Sequence, residues 1–176
     1  MFSSMVDSFL CPAAVVTISD SCARGEREDQ SGPAVAQLLG KLQFNVTARE
    51  IVPDDLIQIQ SVLIRLSREV HFIATTGGTG IAPRDVTPEA TVAVCDRLVD
   101  GVAERMRNEG IKKTPFAALS RGVCGIHGRT LILNLPGSPT GATESLDAVA
   151  DLLPHAIELL SGKTEHASAH PTRSNP

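Results

Sequence analysis

The 176-residue sequence contains no tryptophan and no tyrosine, and it has only five phenylalanines. Proteins that bind single-stranded nucleic acids stack the bases on aromatic side chains, so this composition argues against that class. Basic residues are also few: 16 Lys and Arg stand against 20 Asp and Glu, which gives a formal net charge of -4. A chain with this balance is not expected to bind the phosphate backbone of a nucleic acid as its main task.

Cysteine is scarce and is not arranged for metal binding. The four cysteines, Cys11, Cys22, Cys95 and Cys124, form no C-x-x-C pair, which predicts reduced thiols in an intracellular protein. The sequence also lacks the run of about 18 apolar residues that a membrane span needs. Its first ten residues carry Asp7 and no basic residue, unlike a signal peptide. We therefore expect a soluble, cytoplasmic protein without a membrane partner.

The remaining composition is that of one globular domain. Hydrophobic residues make up 42% of the chain and charged residues 20%, and a chain of this length buries roughly 70% of its unfolded surface. We expect a flexible leader over residues 1–11 and a single domain over residues 12–162. Residues 163–176 are rich in Ser, His, Thr and Pro and are expected to form a disordered tail.

Strand-like and helix-like segments alternate within the domain. The predicted strands are residues 13–18, 44–52, 71–76, 123–126 and 129–135, and the predicted helices are residues 31–42, 56–66, a segment beginning at Thr87, 102–108 and 143–160. Asp54 or Asp55 is expected to cap the second helix and Thr87 the third, while Pro154 should kink the last helix. The alternation predicts an α/β fold with helices on both faces of a mostly parallel sheet. The last two strands flank a short turn and should form a hairpin, which makes the sheet mixed.

The loops that follow the predicted strands contain the candidate binding and catalytic residues. They are Ser19–Ser21, Val52–Asp55, Gly77–Gly80 with Pro83–Asp85, and Pro136–Pro139. Ligands of parallel sheets bind outside the carboxyl ends of the strands, so these loops should share one edge. Carboxylates, hydroxyls and free backbone N–H groups together suit a magnesium-bound phosphorylated ligand.

Each loop also has a purely structural interpretation. Gly77–Gly80 can be a tight turn, and it is neither a Walker A loop nor a dinucleotide-binding G-x-G-x-x-G pattern. Asp54 can be only an N-cap, Asp20 and Asp85 can be turn formers, and Pro136–Ser138 can be an ordinary strand-to-helix turn. The joint placement of the four loops carries more weight than any one of them.

Six segments in order resemble one known family. They are Thr17–Ser21, Asp29–Gly32, Ile51–Asp54, Thr75–Gly80 continuing through Ala82–Thr91, Leu119–Ile126 and Leu133–Ser138. Together they resemble the molybdopterin adenylyltransferases, which comprise the bacterial Mog-type enzymes and the G domains of plant Cnx and animal gephyrin proteins. The resemblance extends over about residues 13–162.

The resemblance implies a fold, a reaction and partners. The fold would be the three-layer α/β/α molybdenum cofactor biosynthesis fold, in a homotrimer. The reaction would transfer AMP from Mg²⁺-bound ATP to the terminal phosphate of molybdopterin and release pyrophosphate. The product would then pass to a molybdenum-inserting protein.

The resemblance also implies roles for individual residues. Asp54 and Asp85 match the two important aspartates of the family and are expected to be catalytic and to hold Mg²⁺. The expected nucleotide- and pterin-binding residues are Ser19, Asp20, Gly77, Gly78, Thr79, Gly80, Ser120, Arg121, Asn134, Pro136, Gly137 and Ser138. Many relatives carry a Lys after the Pro-Gly turn, where this chain has Pro139-Thr140-Gly141. Arg121 is the expected substitute for that cation.

Two other functions stay open on the sequence. One is a non-catalytic module of the same family that binds pterin or nucleotide, which the pairing of Asp54 with Asp85 disfavours. The other is a scaffold of the gephyrin type. A chain of 176 residues is too short for a second, molybdenum-inserting domain, so we do not expect the combined activities of the fused relatives.

Overall fold

A computed structural model describes residues 10–162 of the protein. The strands are β1 (Cys11–Ile18), β2 (Phe44–Val52), β3 (Phe72–Thr76), β4 (Arg97–Leu98), β5 (Cys124–His127) and β6 (Thr130–Leu135). The helices are α1 (Asp20–Ala23), α2 (Ser31–Lys41), α3 (Leu56–Leu66), α4 (Thr87–Val94), α5 (Asp100–Ile111), α6 (Pro139–Asp147) and α7 (Leu153–Leu160), with 3-10 turns at Pro115–Leu119 and Ala150–Leu152. Among residues 10–162, no helix is both long and apolar enough to cross a membrane.

The six strands form one mixed sheet in the order β2-β1-β3-β6-β5-β4. β2, β1, β3 and β6 run parallel, whereas β5 is antiparallel to both of its neighbours. The predicted hairpin is confirmed by the antiparallel pairing of β5 with β6. Four strands therefore end at the same edge of the sheet.

Helices cover both faces of the sheet, which confirms the three-layer α/β/α architecture. Successive strand residues point to opposite faces, and the core divides accordingly. Val15 and Leu133 pack with α2, α5, α6 and α7 on one face, and Val16 and Ile132 pack with α3 and α4 on the other. Fully buried Phe72 contributes to the first core, in contact with the ring of Phe44 at a centroid distance of 5.3 Å.

The prediction of one kinked helix over residues 143–160 was wrong. The structure has two helices, α6 and α7, with a 3-10 turn between them. Pro139 and Pro154 each lie in the first turn of a helix. Proline has no N–H to donate, and the first turn is where a helix loses nothing by that. Pro154 therefore starts a helix instead of bending one.

Two further boundaries differ from the sequence-based prediction, and one that it left open is decided. Thr87 lies inside α4, and its hydroxyl donates to the Gly77 carbonyl oxygen at 2.9 Å instead of capping the helix. Of the two candidate caps of α3, Asp55 is the N-cap, and it accepts from the Gln58 N–H. β1 begins two residues early, at Cys11. The rest of the expected leader, residues 1–9, and the expected tail, residues 163–176, lie outside the described residues.

Candidate active site

Two cavities lie at the sheet edge where the parallel strands end. The first, which we name the β1–β3 cavity, has a volume of about 660 Å³ and is lined by residues that follow β1, β2 and β3. The second, which we name the α5–α6 cavity, has a volume of about 850 Å³. Gly78, Asp85, Gly137 and Ser138 line both cavities, so the two spaces are adjacent. β2 lies on one side of β1 and β3 on the other, so the strand order changes direction between β1 and β3. Ligands of α/β sheets characteristically bind at such a point.

Asp54 and Asp85 both line the β1–β3 cavity. The expected convergence of these two acids on one cavity is therefore observed, although they come from different loops 31 residues apart in the sequence. Each lies in a short segment that follows a parallel strand, and the shared direction of those strands brings the segments together.

Asp54 is held by reciprocal hydrogen bonds with Asp20. The Asp20 N–H donates to Asp54 Oδ2 at 2.9 Å, and the Asp54 N–H donates to Asp20 Oδ1 at 3.0 Å. The other oxygen of Asp20 accepts from Arg84 Nε at 3.0 Å and from Arg84 Nη2 at 2.6 Å. Asp20 is thus a link between Asp54 and an arginine, not a lining residue of either cavity.

The two neighbouring carboxyl groups differ in their affinity for protons. The hydrogen bond from Arg84 lowers the pKa of Asp20. Burial raises the pKa of Asp54, and the negative charges of Asp20 and Asp85 raise it further against the opposing hydrogen bond from Asp20. A raised carboxyl pKa in a cavity, caused by burial and by like charge, is typical of functional sites.

Asp85 closes a tight turn after the glycine segment. Its Oδ2 accepts from the Ala82 N–H at 2.9 Å, and its own N–H donates to the Ala82 carbonyl oxygen at 2.9 Å. A Cβ at Gly80 would lie 2.7 Å from Asp85 Oδ2, and a Cβ at Gly78 would lie 3.1 Å from Asp54 Oδ1. The two carboxylates therefore approach the backbone at positions where a side chain would displace them.

The geometry fits a divalent cation that is shared with a ligand. Among the described residues, hydrogen bonds occupy Oδ2 of both Asp54 and Asp85 and neither Oδ1. Residues 10–162 contain no group of three or more His, Cys, Asp or Glu that would hold a metal without help. Mg²⁺ is commonly bound by one or two carboxylates together with substrate phosphates and water. Burial raises the pKa of Asp54 most, and a cation would offset the smaller contribution from the negative charges of Asp20 and Asp85.

The glycine segment packs tightly against β1. Gly77 has a φ of +96°, and a Cβ there would overlap the Ile18 carbonyl oxygen. Gly78, with a φ of +62°, is also left-handed, which favours glycine. Gly77 and Gly78 line the β1–β3 cavity, and Gly78, Thr79 and Gly80 line the α5–α6 cavity. All four residues predicted in this segment thus lie at the site.

Other predicted residues divide between the two cavities. Ser19 lines the β1–β3 cavity, and Ser120 and Pro136 line the α5–α6 cavity. Gly137 and Ser138 line both, and Ser138 is the N-cap of α6, where it accepts from the Gly141 N–H at 3.1 Å.

Asn134 and Arg121 are not placed as expected. Asn134 is buried, and its amide donates to Thr75 Oγ1 at 3.0 Å and to Thr91 Oγ1 at 2.9 Å. It therefore ties β6 to β3 and α4 and lines neither cavity. Arg121 also lines neither cavity, because its guanidinium is turned toward Gly80 and Asp85. Neither side chain has geometric support for direct ligand contact.

The cationic side chains that do line the α5–α6 cavity were missed by the sequence analysis. They are Arg105 on α5 and Lys113 just after it, paired with Asp151 and Glu144 at 2.9 Å each. Lys113 has one signal in the sequence, the basic pair Lys112-Lys113 at the end of a helix, and Arg105 has none. The helix connects β4 with β5, and its end cannot be assigned to the site before the sheet order is known.

Hydroxyl groups at the base of the β1–β3 cavity were also missed. Thr17 and Ser31 line it, and both donate to the carboxylate of Asp29, at 2.7 and 3.3 Å. Ser31 also shares a 2.8 Å hydrogen bond with Thr76. The sequence did contain a signal for Ser31, because the Asp29–Gly32 segment is part of the family resemblance. The segment was not selected because it does not directly follow a strand.

Comparisons with known proteins identify the family of this chain. Residues 14–155 match a protein family described as a probable molybdopterin binding domain. The chain is 40% identical over 152 residues to a molybdopterin adenylyltransferase of Helicobacter pylori strain J99, and the match covers 84% of this chain and 86% of that protein. It is 46% identical over 149 residues to the molybdenum cofactor synthesis protein cinnamon of Drosophila melanogaster. That match covers 83% of this chain but only 25% of the fly protein, so the chain spans about a quarter of its length.

A solved structure shares the fold. The molybdopterin biosynthesis enzyme MoaB from Thermus thermophilus superposes with a TM-score of 0.82 and 52% sequence identity. The match covers 86% of this chain and 97% of that one. The same arrangement of layers therefore extends over nearly the whole of the solved chain.

Proposed function

Because the chain belongs to the family of probable molybdopterin binding domains, we propose that it is a molybdopterin adenylyltransferase of molybdenum cofactor biosynthesis. The observation that carries the proposal is that Asp54 and Asp85 line one cavity, at the edge where four parallel strands end. The reaction transfers AMP from ATP to molybdopterin and releases pyrophosphate. Residues 12–162 form the proposed catalytic domain.

The adjacency of the two cavities suits a reaction between two phosphorylated molecules. A phosphate oxygen of molybdopterin attacks the α-phosphorus of ATP, the bond to the bridging oxygen breaks, and pyrophosphate leaves. Phosphoryl and nucleotidyl transfers of this kind depend on positioning and on electrostatic stabilisation. The wall that both cavities share contains Gly78 and Asp85, so the reacting groups meet there.

The chain's own residues would bind and orient the two substrates. Asp54 and Asp85 would hold Mg²⁺ through their free Oδ1 atoms, and when bound the ion would neutralise charge on phosphate oxygens. The backbone of Gly77–Gly80 lies where phosphate or ribose oxygens would be bound. Lys113 and Arg105 would supply positive charge in the α5–α6 cavity, a role expected of Arg121 on sequence grounds.

The decisive experiment combines the purified protein with molybdopterin and Mg-ATP. We expect pyrophosphate release together with AMP attached to the pterin. Asp85→Asn should lower the rate about 10²–10³-fold, because the variant loses negative charge at the shared wall while its amide oxygen can still accept from Ala82. Asp54→Asn should behave in the same way.

Asp55→Asn is the matched control for both variants. Asp55 is the sequence neighbour of Asp54, lines neither cavity and caps α3, and asparagine caps helices equally well. Its rate should equal that of the parent. Tight binding of pterin and nucleotide without pyrophosphate release would favour the non-catalytic binding module instead.

Assembly and hand-over are separate parts of the proposal. The resemblance implies a homotrimer and transfer of the product to a molybdenum-inserting protein. Light scattering on the purified protein should give three times the mass of one chain, and a monomer at micromolar concentration would remove the trimer from the proposal.

A further inference from the structure

Arg121 joins both ends of the loop that contains Asp85. Its backbone N–H donates to the Thr79 carbonyl oxygen at 2.8 Å, and its Nε donates to the Gly80 carbonyl oxygen at 2.6 Å. Its Nη2 donates to the Asp85 carbonyl oxygen at 2.6 Å, and its Nη1 pairs with Glu89 in the first turn of α4. One side chain thus holds the start of the loop, its end and the helix that follows.

The loop has few other attachments. Residues 81–84 are exposed, and Ile81 has 67% of its surface accessible to solvent. The hydrogen bonds between Ala82 and Asp85 lie within the loop and do not fix it to the domain. Thr87, which follows the loop, donates from its N–H and its hydroxyl to the Gly78 and Gly77 carbonyl oxygens at the base of the loop, and so does not reach Asp85. The side-chain connection from the loop itself, from Arg84 to Asp20, is an ion pair whose arginine is 67% exposed, and such pairs contribute little.

The position of Asp85 therefore depends on the guanidinium of Arg121. A planar guanidinium donates in several fixed directions at once, whereas a lysine ammonium is a single point of charge. The Gly80 and Asp85 carbonyls and the Glu89 carboxylate are three acceptors in different places, which one guanidinium spans and one ammonium does not.

We propose that Arg121 is a positioning residue that holds the Asp85 carboxylate at the wall shared by the two cavities. The proposal rests on the adenylyltransferase function for its kinetic consequence, but its structural part stands without it. Arg121 contacts neither cavity and acts only through Asp85.

The first test is hydrogen exchange, which needs no substrate. Arg121→Lys should accelerate exchange of the Ala82 and Asp85 N–H groups while the amides of β1 and β3 stay as protected as in the parent. A role in general stability would instead accelerate exchange throughout the sheet. That outcome would overturn the proposal, as would unchanged exchange at residues 82 and 85.

The second test separates kcat from KM. Displacing a catalytic group by about 1 Å costs on the order of 10²-fold in rate, so Arg121→Lys should lower kcat by about that factor. KM for molybdopterin should change little, because Arg121 does not line the cavities. A parent-like kcat would overturn the proposal. If the parent protein itself transfers no AMP, the proposed function fails, and hydrogen exchange still decides the role of Arg121.

Arg65→Lys is the matched control. Arg65 makes an exposed ion pair with Glu50 at 2.6 Å and lines neither cavity, so its replacement should change neither exchange at residues 82 and 85 nor kcat. Should Arg121→Lys fail to fold, the parent provides the test. The Nε–H of Arg121, which is bonded to Gly80, should exchange more slowly than the Nε–H of Arg65 in NMR spectra. Equal exchange rates would overturn the proposal.

Discussion

At the scale of single residues, neighbouring groups give two similar carboxylates of the site different pKa values. Asp20 and Asp54 exchange hydrogen bonds, yet Arg84 lowers the pKa of one and burial raises the pKa of the other. The lowered pKa of Asp20 favours its ionised form, and its N–H donates to Asp54 Oδ2. Oδ1 of Asp54 accepts no hydrogen bond from the described residues, and a cation bound there would stabilise the charged form of Asp54.

The raised pKa of Asp54 predicts a specific dependence of stability on pH. The folded state binds the proton of Asp54 more tightly than the unfolded state does. The contribution of Asp54 to the free energy of unfolding therefore decreases as pH rises from the ordinary value of 3.8 through the raised pKa. Asp54→Asn removes this titration, so the variant should gain stability relative to the parent across that interval.

Urea unfolding at a series of pH values measures this effect. Parent and variant are compared first well below pH 3.8, where the carboxyl group is neutral in both states and the comparison serves as its own control. The difference should then grow in favour of the variant toward neutral pH. A difference that stays constant with pH would contradict the assignment.

At the scale of elements, the β3–α4 connection combines backbone conformation with close packing. Gly77 is left-handed and leaves no room for a Cβ beside Ile18, whereas Gly25 after α1 is left-handed with a φ of +73° but has open space around it. The two glycines therefore separate the cost of conformation from the cost of overlap.

Gly25→Ala should lower the free energy of unfolding by about 1–2 kcal/mol, which is the cost of a left-handed conformation with a Cβ. Gly77→Ala should lower it by clearly more, because its Cβ would also overlap the Ile18 carbonyl oxygen. Urea unfolding of the two variants measures both. Equal losses would mean that the connection shifts without cost and is not rigid.

At the scale of the complete domain, the sheet separates two independent cores. Leu39 of α2 and Ile59 of α3 are both fully buried, but they belong to the clusters on opposite faces. Residues without shared partners usually have additive effects on stability. The three-layer arrangement thus makes a thermodynamic prediction as well as a geometric one.

Leu39→Ala should cost about 2–5 kcal/mol and Ile59→Val about 0.5–1.5 kcal/mol, from lost burial and residual cavities. The double variant should lose the sum of the two, within about 0.5 kcal/mol. Denaturant unfolding of the single and double variants gives the three values. A coupling energy well above that margin would show that the sheet transmits packing changes from one face to the other.

The layer architecture and the principal acids could be predicted from the sequence. Apolar runs such as 13–18 and 71–76 predict strands because a strand buried on both faces needs a continuous hydrophobic segment. The loops that follow parallel strands lie at one edge of the sheet. That reasoning placed Asp54, Asp85 and the Gly77–Gly80 segment at the site. Local proline signals indicated the starts of α2 and α4, but the same kind of signal misassigned Pro154, whose role depends on where the preceding helix ends.

Contacts in three dimensions were needed to tell the polar residues that face a ligand from those that hold the scaffold. Asn134 and Arg121 have residue types suited to binding phosphate or pterin, but their donors are taken by Thr75, Thr91, Gly80 and Asp85. Lys113 was not predicted and lines a cavity. Spacing along the chain does not encode these outcomes, because hydrogen-bond partners are set where segments far apart in the sequence meet.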